Sequence, residues 1–188
     1  MSFIIGFIVG FLLVGIPLAI LGLCVYIIEA IALFKLAKNA NCKYAWLAWI
    51  PLFGGYLRTY LISDIAGNKP FVFFDGKINF QKRINSFWIY LGLGIGGGLI
   101  TTIIAMIPLI GLFLSPIVSL AFSAAIGIMN YVYLKDMLDV FRNDDEKNKT
   151  AALIVTILDC LVTVGFARAI YLCTIMKLDP LYVEASDE

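Results

Sequence analysis

The chain has 188 residues and a formal net charge of +1; it is 62% hydrophobic and 14% charged, with a mean hydropathy of +0.96. Soluble domains lie nearer half apolar and a quarter charged, so these figures describe one membrane domain, 1–188, whose main partner is the lipid bilayer. Basic residues (14) and acidic residues (13) nearly balance and form no basic stripe, which argues against nucleic acid; the absence of histidine removes the commonest general base and metal ligand.

The first apolar run, Phe3–Ile28, has no basic residue before it. It is longer than the roughly 7–15 residues of a signal-peptide core, so it reads as a retained span, about 3–28. Gly6 and Gly10 have GxxxG spacing, which lets a second helix approach closely. Pro17 is a candidate kink. Glu29 then falls at the membrane interface, and the helix continues past it towards Lys35 and Lys38. Of the four cysteines, Cys24, Cys42, Cys160 and Cys173, no two have metal or redox spacing.

The uncharged stretch from Tyr44 to Leu57 is too short for a full span and is broken by Pro51, Gly54 and Gly55. It is rich in Trp and Tyr, the residues of the headgroup level. The expectation for 44–66 is a re-entrant or amphipathic helical segment on the cytoplasmic side, hinged at Pro51, Gly54 and Gly55. Arg58 and Asp64 on it are expected to be solvated.

Residues Ala32-Leu33-Phe34-Lys35-Leu36-Ala37-Lys38, then Lys43-Tyr44-Ala45-Trp46-Leu47-Ala48-Trp49-Ile50-Pro51 and Leu61-Ile62-Ser63-Asp64-Ile65-Ala66-Gly67, carry a resemblance. The pattern resembles uncharacterised small multi-pass membrane proteins of Gram-positive bacteria. The specific part is 32–67, with a looser likeness from Tyr131 onward. The resemblance implies a bacterial cytoplasmic membrane and about four helices, and brings no catalytic residue with it.

A polar loop, 67–83, contains Asp75-Gly76 between two short β-prone runs, a hairpin-turn signal. From Ile84 to Leu134 no side chain is charged. At about 1.5 Å per residue and a core about 30 Å thick, that run makes two spans, about 84–107 and 117–134, folding back near Pro108–Pro116. Gly92, Gly94 and Gly97 match a dinucleotide-binding pattern by letter, but they lie inside a span with no preceding strand. With Gly98 they read as a helix-packing face. A second loop, 135–149, contains the sequon Asn148-Lys149-Thr150, read as silent on the cytoplasmic side.

The last span is expected over 150–176. Asp159 lies about 13 Å inside it, with Thr156 and Thr163 on its side of the helix. A carboxylate at such depth must be protonated, paired or wetted. Arg168 falls on the opposite face of a continuous helix, so it is expected to snorkel outward as an anchor rather than pair with Asp159.

The fold class is therefore all-α integral membrane: four transmembrane helices plus the 44–66 segment. Retention of Lys and Arg in the cytoplasm puts loops 35–86 and 135–149 inside and both termini outside. No nucleophile–base pair is evident, and no enzyme activity, cofactor or metal is expected. The function expected is that of a non-enzymatic protein acting through helix packing, as a homo-oligomer or an accessory subunit of a membrane complex. The alternative is a small oligomeric channel or transporter subunit with Asp159 in the pathway.

Overall fold

The computed structural model describes residues 13, 15–67, 71–73, 78–80, 84–107, 110–160 and 165–181. Gly6, Gly10, Thr163, Pro108 and the Asp75-Gly76 turn lie outside the described residues. The described chain is almost wholly helical: α1 (Ile16–Asn39), a 3-10 turn (Ala45–Trp49), α2 (Phe53–Ile65), α3 (Ile84–Ala105), α4 (Ile110–Phe141), α5 (Asp145–Leu158) and α6 (Phe166–Ile175). Strands β1 (Phe71–Phe73) and β2 (Ile78–Phe80) form an antiparallel ribbon that pairs Phe71 with Phe80 and Phe73 with Ile78.

Three of these helices, α1, α3 and α4, are long and apolar enough to cross a bilayer. Pro17 falls in the first turn of α1, where its missing N–H removes no helical hydrogen bond. Helix α4 begins at Ile110, earlier than the expected 117, and carries Pro116 inside it. The α3–α4 corner needs glycine: a Cβ on Gly111 would lie 2.4 Å from the Ile104 carbonyl oxygen. Gly97 is needed in the same way, since a Cβ there would come within 2.7 Å of the Phe122 ring.

The span expected over 150–176 is interrupted. Helix α5 ends at Leu158, and α6 starts after Gly165, whose φ of 93° is a left-handed conformation that favours glycine. Across this break the chain reverses. Arg168 on α6 bonds to Glu29 on α1 and to Asn130 on α4. About ten residues further along α1 and α4, Asn39 bonds to the Met176 and Leu178 carbonyls just past the end of α6, and the Leu181 amide bonds to the Val140 carbonyl. Three helices meeting twice in the same order, about 15 Å apart, run in the same direction. Helices α5 and α6 thus form a helical hairpin that returns to the end of α4 it left.

Residues 40–65 fold back likewise. Tyr44 and Tyr60 meet edge to face, with ring centroids 5.5 Å apart, close to the end of α1. Between them the chain travels back along α1 until the Tyr26 hydroxyl donates to the Trp49 carbonyl. The reversal lies at Leu52, with φ 75°. Gly54 and Gly55, expected as part of a hinge, are instead helical residues at the start of α2, where Gly55 lets the Phe87 ring approach.

Both fold-backs pack on the second half of α1 and the last part of α4. Leu33, Leu36 and Ala37 of α1, Leu57, Leu61 and Ile62 of α2, Met137 and Leu138 of α4, Ala152 of α5 and Leu172 of α6 are buried together. A smaller cluster of Met129, Val132 and Tyr133 packs with Tyr90 and Leu93 between α3 and α4; beyond it, much of the described surface is apolar and exposed. Leu18, Ile20, Leu21 and Leu23 are all exposed on α1, so no side of that half-helix is covered or polar. The later part of α3 and the first part of α4 are likewise largely exposed away from their mutual contact, with Leu99, Ile103, Leu112, Phe113 and Leu120 all open.

The α4–α5 corner is polar. Asp144 caps α5 by accepting from the Lys147 amide, and the Lys147 side chain holds the Asp144 carboxyl below its usual range. The Asn148 side chain is buried and donates to Asp139 and to the Arg142 carbonyl. The sequon asparagine therefore offers no free amide to a glycan.

Candidate functional site

The charged centre of the molecule is Glu29. Its Oε1 lies 2.7 Å from Arg58 Nη2, and its Oε2 lies 3.4 Å from Arg168 Nη2. The three side chains retain only 12–16% of their exposure. Arg58 comes from the first fold-back and Arg168 from the second, so one carboxylate joins both to α1. The short Arg58 contact is a charge pair without hydrogen-bond alignment, because Oε1 has no aligned donor. The Nε atoms of Arg58 and Arg168 are also buried without a hydrogen-bond partner among the described residues.

Two neighbours complete the cluster. Asn130 accepts from Arg168 Nη1 at 3.0 Å. Asp159 accepts from the Arg168 backbone amide at 3.3 Å. The expectation that Asp159 and Arg168 lie apart is therefore corrected. They would be opposed on a continuous helix, but the break after Leu158 swings α6 back and sets its first turn beside the carboxylate. Arg168 is also not a snorkelling anchor, and Arg58 is not solvated, because Glu29 draws both inward. Asp64 is exposed, as expected.

The sequence places Glu29 at the membrane interface and does not mark its partners. Its partners lie 29 and 139 residues away, and no local periodicity could mark them. The one available signal was three ionisable residues, Glu29, Asp159 and Arg168, within or beside apolar runs: such groups face one another in the interior when they occur at all.

The remaining candidates scatter. Thr156 lines an apolar groove of about 510 Å³ between α4 and α5, with Gly127, Tyr131 and Cys160. Gly92, Gly94 and Gly98 would carry a Cβ into open space, whereas Gly97 packs on Phe122. Gly94 and Gly98 lie in a groove of about 460 Å³ that runs between α3 and α4, lined also by Thr101, Ser119 and Ser123. The four cysteines are free thiols. Among the described residues no group of three His, Cys, Asp or Glu could hold a metal.

Beside Glu29 and Arg58 lies a cavity of about 160 Å³, walled by Tyr26, Leu52, Phe87, Tyr90 and Leu91. The Tyr90 ring is fixed edge-to-face against Tyr133 at 5.9 Å, and the Tyr133 hydroxyl donates to Ser86. No family model matches the chain, and neither the curated proteins nor the solved structures contain a match.

Chemically the cluster is a clamp. Removing one partner of a buried ion pair costs about 3–5 kcal/mol, because the remaining charge is left uncompensated. Glu29→Leu strands two guanidinium groups at once. It should lower the unfolding temperature in detergent by about 10 °C, at about 2–4 °C per kcal/mol. Arg58→Leu, which leaves Glu29 paired with Arg168, should cost less. Thermal unfolding followed by tryptophan fluorescence ranks the variants, and equal stability for Glu29→Leu and wild type would contradict the clamp.

Proposed function

We propose that this chain is a non-enzymatic polytopic membrane protein that works by helix packing, as a homo-oligomer or as an accessory subunit of a larger membrane complex. The observation that carries this reading is the small-residue groove of α3 and α4. Gly94 and Gly98 stand one turn apart with open space above them, next to Thr101 and Ser123. In lipid, helices associate by close packing at small residues, because burying apolar surface brings no gain there. The clamp at Glu29 ties the fold-backs together and leaves this hairpin free to meet a partner. Asp159 is engaged within the α5–α6 connection and lines neither groove, which favours packing over a transport pathway.

A three-crossing arrangement accompanies this proposal, with α1, α3 and α4 crossing and the two fold-backs, 40–65 and 145–178, entering from the side of the basic loops. Lys35, Lys38, Lys43, Lys135, Lys147, Lys149 and Lys177 then lie near one end, the cytoplasmic one by charge bias. The likeness of residues 32–67 to small multi-pass proteins of Gram-positive bacteria supports a bacterial cytoplasmic membrane. Residue 181 comes out on the cytoplasmic side, opposite to the start of α1, in place of the arrangement with both ends outside.

Two measurements test these points. Gly94→Leu with Gly98→Leu fills the open groove while sparing Gly97. It should reduce the mass of the complex in mild detergent, and an unchanged mass would count against packing at this face. A reporter fused after Glu188 should give a cytoplasmic signal; an external signal would restore a fourth crossing.

A further inference from the structure

The 160 Å³ cavity beside Arg58 combines three properties that point to one class of occupant. Its walls are mainly apolar and aromatic, with Phe87, Tyr90, Leu91 and Leu52 among them. Its charged floor has donor capacity to spare. Glu29 and Arg58 both line the cavity; the two carboxylate oxygens of Glu29 face arginines, Oε1 without an aligned donor, and Arg58 keeps a buried Nε–H with no acceptor among the described residues. A guanidinium with an unused N–H calls for an anionic acceptor, and phosphate oxygens fit its fork.

The third property is its level in the molecule. Tyr26 on the cavity wall holds the carbonyl of Trp49, and Phe87 on the wall is followed by Trp88; both indoles are exposed. Exposed tryptophans favour the bilayer interface. The cavity also sits where the packed part of the molecule ends and the bare apolar halves of α1, α3 and α4 begin. An amphiphile could therefore place its head in the cavity and its chains along those bare helices. At about 30 Å³ per water the cavity has room for about five waters, enough for a phosphate and the first atoms of its ester.

We propose that this cavity binds the phosphodiester of a membrane phospholipid, held by the Arg58 guanidinium between α1, α2 and α3. The inference rests on the bilayer reading of the chain and is independent of whether the α3–α4 groove mediates assembly.

Native mass spectrometry of the full-length protein in detergent tests it, using phosphatidylglycerol, a diacylglycerol with the same chains, and inorganic phosphate as probes. Wild type should retain one phosphatidylglycerol and no diacylglycerol, and millimolar inorganic phosphate should not displace the lipid. Arg58→Gln should weaken retention at least tenfold. Leu91→Trp, which fills the cavity from its wall and leaves the ion pairs alone, should do the same in a protein of unchanged melting temperature. Equal retention by Leu91→Trp, or equal binding of diacylglycerol, would overturn the proposal. Displacement by inorganic phosphate would also overturn it, in favour of a free-anion site. Loss of lipid retention alone leaves the bilayer reading standing; only a protein that is soluble and folded without detergent removes that reading.

Discussion

A single carboxylate caught between two guanidinium groups sets the limits on the rest of this structure. Glu29 is placed on α1 by sequence alone, but its two arginines arrive from segments far away along the chain. Each must reach it by turning back, Arg58 through the Leu52 reversal and Arg168 through the break at Gly165. The desolvation of three charges is tolerable only because they face one another, and Asn130 accepts part of the remaining donor capacity. Charge satisfaction therefore determines backbone direction: α6 runs parallel to α1 and α4, and the hairpin with α5 follows from that.

The molecule is divided at the level of this cluster. On one side the two fold-backs wrap α1 and α4 in an ordinary buried core of leucine, isoleucine and alanine. On the other side α1 and the α3–α4 hairpin present apolar side chains on nearly every face. Water would not tolerate the second half, and a bilayer core would not require anything of the first. The exposed Trp49 and Trp88 lie along the join, where amphipathic rings are at home.

Part of this architecture was legible from the residues. The uncharged run from Ile84 to Leu134 announced the α3–α4 hairpin, because length and lack of charge are local properties. The β-prone runs around Asp75-Gly76 marked a strand pairing that is present between Phe71–Phe73 and Ile78–Phe80. The short aromatic segment at Ala45–Trp49 was correctly separated from the long helices, and it forms a 3-10 turn. The last segment misled because its hydropathy averages over the break: Leu153, Ile154, Ile157 and Leu158 before it and Ile170 and Leu172 after it read as one apolar stretch. Gly165 was the local clue, and its meaning depended on where Arg168 had to go. The clamp itself was invisible, since a partner 139 residues away leaves no mark in spacing. Of the glycines expected on one packing face, Gly92, Gly94 and Gly98 look into open space, whereas Gly97 packs on Phe122 within the chain.

The reversal that carries Arg168 to Glu29 also brings residue 178 beside residue 39, with the Asn39 side chain bonded to the Leu178 carbonyl at 3.3 Å. If 150–176 were one continuous helix, its ends would stand about 40 Å apart at 1.5 Å per residue. A disulfide needs the two Cα atoms within about 7 Å. Asn39→Cys with Leu178→Cys, in a chain whose four native cysteines are replaced by serine, distinguishes these arrangements in native membranes. The account predicts rapid formation of an intramolecular disulfide under mild oxidant. Persistently free thiols at both positions, in protein that remains folded and membrane-inserted, would contradict it.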